Sequence, residues 1–319
     1  MITDKIYRIL TSLTSPGGNG GKLQIFIFHR VLDELTPFSM GEPDKKRFEE
    51  LIRLLSYTFN IIPLAEAIER ISTNSLPKRA ACITFDDGYL DNYTNAYPIL
   101  KKYNIPATIF IATSYIGRGI MWNDIVIEAI RSYSGILNLA GLDIINQECF
   151  SDEQRKQIIQ YIIPKIKHLP QSIREEYVCE IESFTGYTRV GLMMNKDEII
   201  DLHQNNITIG AHTQTHPILV NLSEKQSENE IAGSKEELEL ILGENVELFA
   251  YPNGKPDVDY TNRDVEIVKN LGFKAAVSTR LSIAAKSDSI YELPRFTPWD
   301  NSITKFMLRS CYAMYKKSA

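Results

Sequence analysis

Short apolar runs that suit buried strands alternate, along most of this chain, with longer stretches whose apolar residues recur at helical spacing. Strand-like runs fall at 24–28, 61–62, 80–85, 106–112, 206–211, 247–251, 274–278 and 290–294. Between them the patterns at 44–58, 64–71, 91–103, 196–205, 224–242 and 262–270 read as amphipathic helices. Strand, helix and strand in succession predict an α/β fold with parallel pairing, which puts all strand C-termini at one end. Residues 119–194 break the rhythm with three helical patterns (123–133, 152–167, 171–184) and no expected strand. That stretch reads as a helical insertion over or beside the mouth of a site.

The run 80–85 leads into the motif Thr84-Phe85-Asp86-Asp87-Gly88-Tyr89. Two adjacent carboxylates at a buried strand end are costly unless a cation or hydrogen-bond donors meet them. Gly88 lets the chain turn sharply there. Alone, the hexapeptide also fits a solvated Asp-Asp-Gly turn. A second site changes the balance: after the run 206–209 comes Gly210-Ala211-His212-Thr213-Gln214-Thr215-His216-Pro217, with two of the chain's five histidines four apart. Two imidazoles and one carboxylate, with a position open to water, are the ligands of a catalytic zinc-type ion. The same ligands also suit non-haem iron in an oxygenase, although the free Asp86 and the missing jelly-roll strand pattern argue against it.

These two motifs together resemble the polysaccharide deacetylases, the family with the NodB homology domain. The resemblance extends through Pro106-Ala107-Thr108-Ile109-Phe110, Phe249-Ala250-Tyr251-Pro252-Asn253-Gly254 and Leu293-Pro294-Arg295, and covers about His29 to Pro298. It is nearest to the circularly permuted branch that contains the poly-N-acetylglucosamine deacetylases. The resemblance implies a distorted, incomplete TIM-like (β/α)7 barrel with a helical insertion, forming one catalytic domain over residues 1–319. It implies a metal-dependent hydrolase that removes the N-acetyl group from an amino sugar in a polysaccharide or glycan precursor. A deformylase or deacylase of a lipid- or nucleotide-linked amino sugar is the allied reading, and an inactive glycan-binding module the non-enzymatic one.

By the same resemblance Asp87, His212 and His216 are the ligands of a divalent metal, zinc first, with cobalt, nickel or manganese as alternatives. Asp86 is the general base. The proton donor in many members is a histidine on a late strand, yet no histidine follows His216 here. Ile25-Phe26-Ile27-Phe28-His29 has the same alternation and terminal His, and in a closed barrel the first strand neighbours the last, so His29 is the expected general acid. Where members often carry an arginine that positions the base, Ala250 stands, and Arg295 is the expected substitute. Asn253 replaces a usual aromatic and, with Tyr251 and Trp299, is expected at the oxyanion and sugar. Trp122 is a further stacking candidate, and Asp300 a partner for the acid histidine.

The remaining readings concern the surroundings. A net charge of −5 argues against nucleic acid as a partner, leaving an N-acetylated sugar or glycan. The four scattered cysteines require no disulfide. No leader or apolar span is visible, which gives a cytoplasmic expectation with peripheral contact at the inner membrane face. Residues 2–13 place Ile2, Ile6, Ile9, Leu10 and Leu13 on one helical face, expected to pack on the body, and 16–21 reads as a flexible linker. The basic, aromatic stretch 303–317 reads as a closing helix, with membrane contact as the sharper alternative.

Overall fold

The structure, a computed structural model, describes residues 2–39, 41–298, 300 and 302–316. The strands are β1 (Lys22–Phe28), β2 (Asn60–Ile61), β3 (Ala80–Phe85), β4 (Ala107–Ile111), β5 (Gly135–Leu139), β6 (Ile144–Cys149), β7 (Ile207–Ala211), β8 (Leu248–Ala250), β9 (Ala275–Leu281), β10 (Ala284–Ala285) and β11 (Leu293–Arg295). The α-helices are α1 (Ile2–Thr14), α2 (Lys45–Thr58), α3 (Leu64–Ser72), α4 (Tyr97–Lys102), α5 (Trp122–Ser132), α6 (Asp152–Lys167), α7 (Gln171–Thr185), α8 (Lys196–Gln204), α9 (Glu224–Leu242), α10 (Asn262–Asn270) and α11 (Ile303–Lys316).

The main sheet runs β10-β1-β3-β4-β7-β8-β9-β11, with β2 added on β3. From β1 to β11 every neighbouring pair is parallel. The sheet then curls back on itself: Phe296 N–H donates to Ile25 O (2.7 Å) and Ile27 N–H to Phe296 O (3.2 Å). The last strand thus touches the first, and the sheet is the nearly closed barrel expected. Side-chain alternation sorts its two faces. Leu23, Ile25, Cys82, Phe110, Ala250 and Leu293 share one apolar cluster, against which α3 packs. The intervening Phe26, Phe28, Ile83, Phe85, Ile209 and Phe249 pack with helices α2 and α8 to α10. A Cβ on Gly210 would lie 2.5 Å from the Phe110 ring, so the bulk of Phe110 inside the barrel depends on a glycine across from it.

The insertion between β4 and β7 holds α5, α6 and α7 around a separate apolar cluster that includes Val126, Leu139, Ile162 and Ile181. It also contains a β5–β6 hairpin where no strand is expected from the sequence. Only scattered hairpin positions such as Leu137, Leu139 and Ile144 are buried, while Asn146, Gln147 and Glu148 face solvent, so no apolar run marks it.

The ends also differ from expectation. Helix α1 packs through Tyr7 and Thr11, leaving Ile6, Ile9 and Leu13 exposed at 48%, 60% and 75%. Residues 16–21 are not a free linker: Gly18 N–H donates to Leu76 O (2.9 Å). A Cβ on Gly17 (φ 84°) would meet the Lys78 backbone nitrogen at 2.8 Å. Lys22 Nζ ties the two terminal helices together, donating to Thr14 O (2.6 Å) and Met314 O (2.7 Å). No helix among the described residues is long and apolar enough to cross a membrane.

Candidate active site

The parity that fills the barrel also builds the site. Continuing the inward series Leu23, Ile25, Ile27 beyond β1 reaches His29, and Cys82, Thr84 on β3 leads to Asp86. Gly210 on β7 precedes His212 by one alternation, and Leu293 precedes Arg295 in the same way. Because the strands are parallel, these tips meet at one end. His29, Asp86, Asp87, His212, His216 and Asn253 line a single cavity of about 240 Å³.

Arg295 is fully buried and grips Asp86 with two parallel bonds, Nη1 to Oδ1 at 2.6 Å and Nη2 to Oδ2 at 2.7 Å. Its Nε donates to Ser278 O (3.0 Å), which fixes the fork. Burial pushes the Asp86 carboxyl up, but the Arg295 and His212 charges outweigh it and hold it below its ordinary value. The arginine expected to replace the one missing at Ala250 is therefore in contact with the expected base.

Asp87 turns the other way because its backbone is left-handed (φ 77°). His212 Nε2 and His216 Nε2 lie 3.5 and 3.4 Å from Asp87 Oδ1, and the ligating atoms of all three fall within 4.8 Å of one another. Asp87 Oδ1 is buried and accepts no hydrogen bond. A buried carboxylate oxygen without a donor costs several kcal/mol unless a cation meets it, roughly as for a broken ion pair. His212 Nδ1 donates to Ala250 O (2.7 Å), which leaves its Nε2 lone pair facing Asp87. Burial pushes His216 down to about 4, so its ring is neutral at pH 7. Burial also works against charge on His212, but the two carboxylates outweigh it and raise that ring's proton affinity. An orphaned carboxylate oxygen facing two nitrogen lone pairs fits a divalent cation.

The loop that carries both histidines is strained and clamped. Thr213 and His216 have φ of 63° and 54°. Glu230 of α9 accepts from Gln214 N–H (3.0 Å), Thr215 N–H (2.8 Å) and Thr215 Oγ1 (2.7 Å). His29 is tied to the acid pair through the backbone: Asn92 Nδ2 donates to His29 O (2.7 Å), and Asp86 N–H to Phe28 O (3.0 Å). Arg30 Nε pairs with Asp91 Oδ2 (2.8 Å), and its guanidinium covers the Tyr89 ring. Tyr89 in turn donates to Asp124 Oδ2 (2.9 Å) on the inserted α5.

The other expected residues divide. Asn253 (φ 58°) lines the cavity, with its carbonyl accepting from Thr279 Oγ1 (2.6 Å). Tyr251 does not contribute its side chain. At the end of β8 it has the outward parity, stacks on Tyr260 at 3.8 Å and donates to Tyr291 O (3.0 Å). Trp122 lines the cavity from the insertion, under Arg174. Asp300 is engaged by Arg309, whose Nε donates at 2.9 Å. Trp299 lies outside the described residues. Glu230, Asp124, Lys167 and Arg174 were not singled out by sequence, and Tyr89 only as the last residue of the Asp-Asp-Gly motif. The first sits in a helix so rich in glutamate that nothing marks it, and the cations sit in helices where charge usually means solvent.

The model of the family described as polysaccharide deacetylase matches residues 73–276, which include the acid pair and both histidines but neither His29 nor Arg295. The chain is 23% identical to YxkH of Bacillus subtilis (strain 168) over 276 residues, 86% of this chain and 70% of that protein. It is 43% identical over 85 residues to the poly-β-1,6-N-acetyl-D-glucosamine N-deacetylase of Staphylococcus aureus (strain MSSA476), 26% of this chain and 28% of the relative. In fold it is similar to the Streptococcus pyogenes deacetylase PplD (TM-score 0.60, 20% identity, 91% of this chain and 98% of that one). IcaB from Ammonifex degensii is similar to the same degree (TM-score 0.61, 18% identity, 94% and 98%). With more than half of its length matched by one family model, and the barrel shared with those structures, the chain belongs to the polysaccharide deacetylases.

Proposed function

We propose that this protein is a metal-dependent N-deacetylase of an acetamido sugar in a glycan or glycan precursor. What carries the reading is the orphaned Asp87 Oδ1 between two imidazoles, beside a second carboxylate already held by Arg295. Asp87, His212 and His216 would hold the ion; when bound it lowers the pKa of water and polarises the acetyl carbonyl. Asp86, kept ionised by Arg295, takes the water's proton at its carboxylate. His29, on the neighbouring strand tip, gives a proton to the leaving amine nitrogen. Asn253 meets the sugar from the cavity wall. The named target of the Staphylococcus aureus relative, a poly-N-acetylglucosamine, supports the acetamido group as the point of attack.

Peripheral contact with an anionic membrane belongs to the same proposal. Ile6, Ile9 and Leu13 on α1 and Leu308, Tyr312 and Tyr315 on α11 are exposed on two helices that touch, with Lys5, Arg8, Lys305 and Lys316 on the same pair. Exposed apolar groups flanked by lysine and arginine suit a headgroup boundary.

The test of the hydrolase reading is metal analysis joined to acetate release from N-acetylglucosamine oligomers. Expected are a stoichiometric divalent ion, loss of acetate release on chelation, and recovery with zinc, cobalt, nickel or manganese. Asp87→Ala lowers kcat/KM at least about a hundredfold and empties the site of metal. Full turnover in metal-free Asp87→Ala protein overturns the proposal; iron with oxygen uptake and no acetate replaces it with the oxygenase.

A further inference from the structure

The insertion brings two cations into the cavity that the hydrolytic chemistry does not use. Lys167 ends α6 and Arg174 lies in the first turn of α7; both line the cavity that holds the acid pair and the histidines. They are held together across the turn, Arg174 Nη1 donating to Lys167 O at 3.4 Å. Arg174 is only 7% exposed, and its guanidinium carbon lies 5.0 Å from the centroid of the Trp122 ring. Its Nε is buried with no acceptor.

Among the described residues, no ion pair within 4.0 Å involves Lys167 or Arg174. Asp259 faces Lys167 and Glu175 faces Arg174 at longer range, with Lys255 adding a further positive charge near Lys167. Asp259 is already engaged, accepting from Lys255 N–H at 2.9 Å. Burial lowers the proton affinity of both basic groups, which is the mark of cations placed where water alone does not compensate them. Arg295, fully buried behind Asp86, is by contrast matched by that carboxylate bond for bond. The roof therefore carries two positive charges without fixed anions, while on the floor Asp86 is matched by Arg295 and Asp87 is left for the ion it would hold with His212 and His216.

We propose that Lys167 and Arg174 form an anion subsite, and that the amino-sugar substrate carries a phosphoryl group, as in a sugar phosphate or diphosphate. The proposal rests on the hydrolytic reading of the same cavity and narrows its substrate class. A neutral acetamido glycan gives these cations nothing to bind. A phosphoryl group suits both: the guanidinium offers a planar fork of donors and the ammonium a compact point charge. Two cations match the charge of a dianion. Nucleotide-linked and lipid-linked sugar diphosphates share this chemistry.

The experiment compares acetate release by the metal-loaded protein on N-acetylglucosamine oligomers, N-acetylglucosamine 1-phosphate, a uridine diphosphate-linked N-acetylhexosamine and a polyprenyl diphosphate-linked one in detergent. At least one phosphoryl-bearing substrate is expected to exceed the neutral oligomers by about tenfold or more in kcat/KM. Whichever of the two carriers is preferred identifies the source. In Lys167→Met and Arg174→Gln that preference falls by about tenfold. Equal losses on neutral and phosphoryl-bearing substrates, or no preference in the parent protein, overturn the subsite and leave the deacetylase reading standing. A second readout does not depend on turnover: calorimetric titration with inorganic pyrophosphate, whose affinity drops about tenfold in Lys167→Met. If no substrate releases acetate, the hydrolytic reading has failed, and pyrophosphate binding lost in Lys167→Met still upholds the anion subsite. Unchanged pyrophosphate binding in both variants overturns it.

Discussion

The floor of the cavity hangs from strand tips, while its roof hangs from the ends of inserted helices, and the two are built under different constraints. On the floor, His29, Asp86, His212 and Arg295 each continue an inward-facing series of a barrel strand. A shift of one residue would turn any of them into the helix layer, as Tyr251 shows at the tip of β8. On the roof, Trp122, Lys167 and Arg174 come from helices packed on a cluster of their own. They can vary without disturbing barrel parity. The floor thus suits the part of the reaction common to a family, and the roof suits the part that selects a substrate.

The comparison breaks most directly at His29. His29→Ala is expected to cut turnover by about 10²–10⁴-fold, the range for losing a general acid, while metal content stays at the parent level. Unchanged turnover, measured by acetate release with metal analysis in parallel, would remove this strand tip from the chemistry. Arg295→Met comes next. It strands the Asp86 carboxylate in a buried site, which costs about 3–5 kcal/mol and is read from denaturant unfolding. In the parent, the depressed Asp86 pKa contributes stability above the unfolded value near 4, lost as pH falls through the folded pKa. In the variant that contribution disappears, and the acid limb of kcat/KM moves to higher pH. Adding Asp86→Asn should restore most of the stability without restoring turnover. Parent-like stability in Arg295→Met alone would mean that the fork is not what keeps the base ionised.

The same contrast explains which parts were legible in the sequence. An apolar run followed at once by a polar, chemistry-bearing residue marks a strand tip, so Phe28-His29, Phe85-Asp86, Ala211-His212 and Pro294-Arg295 could be read before any coordinates. Closure between β1 and β11 then brought the first and last of these together. Legibility failed where parity had to be known to the residue, as at Tyr251, whose neighbour Ala250 takes the inward position instead. It failed in the β5–β6 hairpin, where most side chains face solvent and no apolar run forms. Helix α1 misled for the opposite reason: its apolar stripe is real, but the side chains it buries are Tyr7 and Thr11, and the helix packs on α2 and α11. Lys167 and Arg174 are invisible because a lysine or arginine on an amphipathic helix is ordinarily solvated, and only the turn between α6 and α7 aims them inward.

The smallest expected effect tests the seam where floor meets roof. Tyr89, directly after the Asp-Asp-Gly turn, donates to Asp124 of α5, and Arg30, Glu128 and Asp87 also face that carboxyl. Burial pushes Asp124 up to about 7, against the pull of Arg30. The unfolded chain releases this proton near pH 4. Between those values the folded chain holds a proton that the unfolded chain has lost, so stability declines as pH rises from about 4 to about 7 and levels off above. Asp124→Asn keeps an acceptor for the Tyr89 hydroxyl and removes the titration. The variant should therefore gain on the order of 4 kcal/mol over the parent at pH 8 and nothing at pH 4, measured by urea unfolding across that range. A parent protein whose stability is flat from pH 4 to 7 would show that Asp124 is ionised in the fold. In that case the insertion would be joined to the acid turn by a charge on Arg30 and not by a shared proton.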